Sequence, residues 1–157
     1  MSVAFRREGD DEHLEPKFEL PIPLGPNLVT ERGLTLIKER VAALKIEVAA
    51  LEDETALKIA KRDLRYWNTR QSTAEIAPIP NGEKVEFGTK VKFTLRGQEK
   101  ILSIVGGDEA DPTKSLVSFS APISRALIGL ESGDFAGFAG QEDAIEILTI
   151  DIIAQSK

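Results

Sequence analysis

The sequence predicts an α+β protein in which an antiparallel α-helical coiled-coil hairpin precedes a small antiparallel sheet with one short helix. Three observations predict it. Seam residues, almost all apolar, recur at steps of three and four from Leu34 to Leu51 and again from Leu57 to Ala74, the spacing that keeps them on one face of each of two helices. Pro78, Pro80 and the pair Asn81-Gly82 then interrupt the chain, since proline stops a helix and Asn-Gly favours a turn. Beyond them apolar and polar residues alternate, the period of a strand with one buried face.

Residues 1–27 read as a proline-spaced N-terminal arm. Pro16, Pro21, Pro23 and Pro26 leave no room for a helix or a central strand. Phe18, Leu20, Ile22 and Leu24 alternate, so part of the arm is expected to lie against the body.

Residues 28–77 are assigned to the hairpin. Leu34, Ile37, Val41, Leu44, Val48 and Leu51 form a heptad seam, with Thr30 as the expected N-cap and Glu31 in the first turn, where a negative charge complements the helix dipole. The run Leu51-Glu52-Asp53-Glu54 reads as the end of this helix and the start of another, whose seam is Leu57, Ala60, Leu64, Trp67, Gln71 and Ala74. Two helices of about 22 residues make rods roughly 33 Å long. So short a turn between them requires antiparallel packing.

Residues 78–157 are assigned to the sheet-and-helix domain. Val85, Phe87, Val91, Phe93 and Leu95 supply strand positions, Arg96-Gly97-Gln98 a turn, and Lys100 to Val105 the returning strand. Leu116 to Phe119 is a further strand, Pro122 to Ile128 a short helix, and Ala144 to Ile153 the last strand.

Composition narrows the function. A chain of 157 residues with no cysteine and the single histidine His13 offers no thiolate zinc site, no cysteine nucleophile and no histidine-based triad. His13 lies in the arm and reads as solvated. The N-terminus lacks the apolar core of a secretory signal, and no apolar run approaches a membrane span, so a cytoplasmic protein is expected. A net charge of −6 argues against a protein that coats nucleic acid, yet the charge is uneven. Residues 28–79 carry 9 basic and 8 acidic groups, whereas 80–157 carry 8 and 12. The basic excess gathers on the second helix.

Three ordered segments carry a family resemblance: Val85-Glu86-Phe87-Gly88-Thr89-Lys90-Val91, Ile104-Val105-Gly106-Gly107-Asp108-Glu109-Ala110-Asp111 and Pro122-Ile123-Ser124-Arg125-Ala126-Leu127-Ile128-Gly129. In order and spacing they resemble the bacterial Gre factors, the GreA/GreB family of transcript-cleavage factors, with the likeness extending over roughly Leu28 to Ile152. The resemblance implies a coiled-coil hairpin followed by an FKBP-like domain that docks on the rim of the RNA polymerase secondary channel. It further implies that acidic residues at the hairpin tip help hold a second polymerase Mg²⁺ and the water that hydrolyses backtracked RNA. A carboxylate suits that task, because Mg²⁺ prefers hard oxygen ligands. The factor would have no catalytic residues or cofactor of its own and would share the polymerase metal.

The tip departs from the family. No Asp-x-x-Glu-Asn pattern lies between the helices, and the remaining candidates are Glu52, Asp53 and Glu54, with Asp53 and Glu54 foremost as ligands toward polymerase Mg²⁺. The first helix also reads about three turns shorter than in a full-length Gre factor, which would withdraw the tip by roughly 16 Å. These acids can equally be first-turn residues that cap the second helix.

Lys58, Lys61, Arg62 and Arg65 fall on one helix face, either as a stripe contacting nascent RNA or as a solvated surface. The resemblance places Ser120, Ala121 and Pro122 at the turn that grips the polymerase rim, with Ala121 in place of a family serine. The local alternative has Ser120 capping the helix that Pro122 starts. The acidic run Asp108 to Pro112 lacks the ligand number and glycine placement of a calcium loop and reads as a packed turn. Trp67, at a seam position, is expected inside the hairpin.

The leading expectation is a Gre-like elongation factor, monomeric because its two seams satisfy each other. The alternative is a binder similar to the Rnk-type relatives, which occupies the channel without stimulating cleavage and competes with Gre factors. An FKBP-type prolyl isomerase ranks lower, since the only tryptophan and tyrosine lie outside that domain.

Overall fold

The computed structural model describes residues 19–153. The reading of residues 1–18 as an arm, with Phe18 and His13, therefore lies outside the described residues. The chain divides into two compact units. One holds Ile37–Thr73 together with residues 19–26, and the other joins Asn27–Leu36 to the chain from Ala74 onward. Asn27–Leu36 and Ala74–Ala77, read from the sequence mostly as ends of the hairpin, thus group with the sheet.

The helical unit is built on α2 (Glu54–Thr73) and on α1 (Glu31–Ala50) from Ile37 onward, each helix having 20 residues or about 30 Å. Three residues, Leu51 to Asp53, connect them. The seam falls where the spacing puts it: Ile37, Val41 and Leu44 on α1 and Ala60 on α2 are buried. Both caps are real. The Thr30 hydroxyl accepts from the Gly33 amide at 2.9 Å, and Asp53 Oδ2 accepts from the Ala56 amide at 2.8 Å. Trp67 is half-buried rather than enclosed and meets Tyr66 edge to face at 5.1 Å. Arg70 is buried on α2, its guanidinium 6.0 Å from the Tyr66 ring centre, and the spacing alone did not single it out.

The second unit contains a five-stranded sheet of order β5-β4-β3-β7-β6, formed by β3 (Thr89–Leu95), β4 (Gln98–Val105), β5 (Leu116–Ser118), β6 (Phe135–Phe138) and β7 (Gln141–Ile152). It is antiparallel except at one edge, where β5 runs parallel to β4. The wholly antiparallel expectation is corrected there, because a long connection with a 3₁₀ turn at Pro112–Lys114 brings the chain back in the same direction. Val85 and Phe87 precede the sheet rather than joining it. Val85 is held by backbone bonds to Gly129 and Leu130 and is fully buried.

Alternation on β3 is clear, with Thr89, Val91 and Phe93 buried and Lys90 exposed. Arg96 and Gly97, both at positive φ, form the two-residue turn to β4 that matches strand twist. The short helix α3 (Pro122–Leu127) adds Leu127 to a core of Val85, Val91, Phe93, Leu102, Ile104, Ile145 and Ile147. Two further strands, β1 (Leu28–Val29) and β2 (Glu75–Ile76), pair in parallel. Each is two residues long, too short for periodicity to reveal.

Gly106 shows why that small pair needs its neighbours. A Cβ there would stand 2.3 Å from the Leu28 carbonyl oxygen, so only glycine lets the β1 backbone pass. Glu109 lies on the same loop and is buried. It accepts from the Thr30 hydroxyl at 2.6 Å and from the Arg32 guanidinium at 2.9 Å. A buried carboxylate needs such donors, since an unpaired one is strongly disfavoured.

Candidate functional site

Glu52, Asp53 and Glu54 occupy the hairpin tip and are all exposed. Asp53 is committed through one oxygen to the Ala56 amide, which leaves its other oxygen available to solvent. The capping reading of this residue therefore holds. It is compatible with a second role, because a cap at a connection remains accessible. Among the described residues no group of three or more acidic or histidine side chains is arranged to hold a metal by itself.

The basic face divides into two kinds of residue. Lys58 and Lys61 are exposed. Arg62 turns sideways onto Asp63, with Nε and a terminal nitrogen 3.1 and 3.0 Å from Oδ1. Arg65 holds Glu19 with both arms of its guanidinium, at 3.1 and 2.6 Å. That bidentate contact keeps the Glu19 carboxyl below the usual carboxylate range and raises the guanidinium. Sequence spacing located all four cations, but it could not show that two of them are partnered.

At the loop before α3 the local expectation fails in one detail. The N-cap position belongs to Ala121, which has no side-chain acceptor, and the Ser120 hydroxyl instead lies 3.0 Å from that of Ser118. Pro122 starts the helix as expected. Ser120 and Pro122 are exposed and Ala121 half-buried, so the turn presents a small polar and apolar surface. The hydroxyl of Ser124, two residues on, is fully buried without a hydrogen-bond partner among the described residues.

The acidic loop is a packed turn. Asp111 caps the 3₁₀ turn, accepting from the amide and hydroxyl of Thr113 at 3.1 and 2.7 Å, and these bonds lower its pKa. Glu109 points inward instead. Nothing in the run Asp108-Glu109-Ala110-Asp111 distinguishes the buried Glu109 from its half-buried neighbours Asp108 and Asp111. Only the small residue Gly33, whose Cβ would come within 2.8 Å of Glu109 Oε1, leaves a trace in sequence. No helix among the described residues is long and apolar enough to cross a membrane.

Comparison with known proteins identifies the pattern. Residues 79–152 match the family model described as transcription elongation factor, GreA/GreB, C-terminal. Over 137 residues the chain is 38% identical to the transcription elongation factor GreA of Pseudomonas putida, covering 85% of this chain and 82% of that one. The GreA factors of Desulfovibrio desulfuricans and Rhizobium etli are 35% and 43% identical over 80 and 74 residues, and there the match spans only about half of each relative, 49% and 47%. Among solved structures, Gfh1, the GreA factor homolog of Thermus thermophilus, aligns over 80% of this chain and 99% of its own at 17% identity and a TM-score of 0.38. On the extent and identity of the Pseudomonas match, the chain belongs to the GreA/GreB family of transcription elongation factors.

Proposed function

We propose that this protein is an accessory factor of RNA polymerase that enters the secondary channel with its helical hairpin and stimulates cleavage of backtracked RNA. The observation that carries this reading is the near full-length likeness to a GreA elongation factor, combined with a hairpin whose connection exposes Glu52, Asp53 and Glu54. In the proposed mechanism the turn at Ser120, Ala121 and Pro122 contacts the channel rim. The tip carboxylates then contribute an oxygen ligand toward a polymerase Mg²⁺ and orient the attacking water, which requires the docked hairpin to make up the roughly 16 Å by which its first helix reads short. Chemistry resides in the polymerase; this chain supplies charge and position. Lys58 and Lys61 meet the phosphates of the displaced RNA, where each neutralised phosphate releases counterions.

The test is RNA cleavage in purified backtracked elongation complexes, with wild type, Glu54→Gln and Asp53→Ser. Serine retains an N-cap acceptor while removing the carboxylate, so a loss of activity in Asp53→Ser is not a loss of helix. Stimulation by wild type that falls at least about tenfold in either variant supports the mechanism, a factor corresponding to about 1.4 kcal/mol of transition-state stabilisation. Competition with an active GreA without any stimulation would refute the cleavage role and leave channel occupancy as the activity.

A further inference from the structure

The turn pair Asn81-Gly82 lies between β2 and β3, outside any helix or strand. Asn81 is exposed and Gly82 half-buried, so water reaches both. Asn81 Oδ1 accepts a hydrogen bond from the Glu83 amide at 2.9 Å, which curls the side chain over the intervening Asn81–Gly82 peptide. Gly82, at φ +84°, has no Cβ to screen its own nitrogen, and among the described residues that nitrogen donates no hydrogen bond. The other two asparagines differ. Asn27 is buried, and Asn68 sits within α2, where the amide of the next residue, Thr69, is committed to the helical ladder. Neither is followed by glycine.

We propose that Asn81 is a self-modification site: its side-chain amide is converted to a carboxylate by the chain's own backbone and water, with the Glu83 amide as oxyanion donor. The Gly82 nitrogen gives its proton to a solvent base and attacks Asn81 Cγ, forming the new C–N bond of a five-membered imide. Negative charge develops on Oδ1 in this step, where the Glu83 N–H already points. The Cγ–Nδ2 bond then breaks, and Nδ2 takes up a proton from solvent and leaves as ammonia. Water adds to one of the two imide carbonyls and reopens the ring, giving aspartate or, when the main-chain carbonyl is cleaved, isoaspartate. No atom is oxidised or reduced. Both products add a negative charge to the net −6 of the chain, and isoaspartate also routes the backbone through Cβ, lengthening it by a methylene. Because the ammonia is lost, the change accumulates with the age of the molecule. A hydrogen bond of ordinary strength, made more fully in the transition state than before it, corresponds to a rate increase of about two- to tenfold.

The full chain is incubated at neutral pH in native buffer and in guanidinium chloride. Digests are read by mass spectrometry for the amide-to-acid mass gain at each asparagine, with electron-transfer fragmentation to tell isoaspartate from aspartate. Wild type, Asn81→Gln and Glu83→Pro are compared, the proline removing the donor hydrogen, and thermal unfolding establishes which are folded. Conversion is expected at Asn81 of the native chain about two- to tenfold faster than in guanidinium, with isoaspartate among the products, while Asn27 and Asn68 persist. Asn81→Gln should abolish the signal at that position, since glutamine must close a larger ring, and Glu83→Pro should slow conversion by the same factor.

An Asn81 that persists in the native chain refutes the site. One that reacts no faster native than denatured refutes promotion by the fold. A folded Glu83→Pro that reacts at the wild-type rate refutes the part given to the Glu83 amide, and should that variant not fold, the ratio of native to denatured rates decides.

Discussion

The two units of this protein specify themselves differently. In the helical unit, order comes from repetition: seam residues at three and four spacing, a cap at each start and charges outside. Any one seam contact resembles the next. In the sheet unit, order depends on single approaches that have no substitute, such as the Leu28 carbonyl over Gly106 and the Glu109 carboxylate under Gly33. Periodic structure tolerates change and advertises itself, whereas a unique contact does neither.

The largest effect expected to sharpen that contrast is Phe93→Ala. Phe93 is fully buried at the centre of the core, and its loss should cost the sheet unit about 3–5 kcal/mol. Hydrogen exchange would show faster opening of β3, β4 and β7, with the α2 amides around Ala60 little changed; equal acceleration in both would break the comparison. Gly106→Ala comes next, at about 1–3 kcal/mol, since the added methyl must push the β1 backbone aside. The same exchange experiment should localise its effect to β1, β2 and the loop at Glu109.

A smaller effect belongs to the hairpin. Asp53→Ala removes a cap and should lower helix stability by about 1 kcal/mol, while Asp53→Ser stays near wild type, as followed by circular dichroism during thermal unfolding. Smallest is the exposed Glu19–Arg65 pair, read by pH. Glu19 has its pKa lowered by Arg65, so the pair contributes above the unfolded value of 4.5 and is lost as pH falls through the lowered folded value. A carboxyl NMR titration should place the Glu19 midpoint higher in Arg65→Ala than in wild type.

Those same differences explain what the sequence disclosed. Thr30, Asp53 and the seam from Ile37 to Ala60 were legible because helix geometry converts spacing directly into a buried face. Strand β3 was legible from alternation, and β4 from its return after the Arg96-Gly97 turn. Strand β6 was not, because Gly137 and a register shift interrupt its pattern. The parallel direction of β5 depends on where its connection leads, which no local period records. At the candidate site, spacing placed Glu52 to Glu54 and the four cations on their elements. It did not reveal that Ser120 leaves the cap position to Ala121, because a local hydroxyl contact with Ser118 competes with capping, or that Arg65 already holds a carboxylate, because Glu19 is 46 positions away in sequence.

The parallel pair β1 and β2 brackets α1 and α2 completely: the chain departs at Val29 and returns at Glu75, and these positions lie in adjacent, hydrogen-bonded strands. A segment with neighbouring exit and entry points behaves as a removable cassette. Whole heptads can be added to or deleted from both helices together, about 10 Å of reach for each, without altering a single register in the sheet. Hairpin length is thus an adjustable dimension of this architecture, and transplanting a longer hairpin between Thr30 and Ala74 would lengthen both helices while leaving the β1–β2 pairing intact.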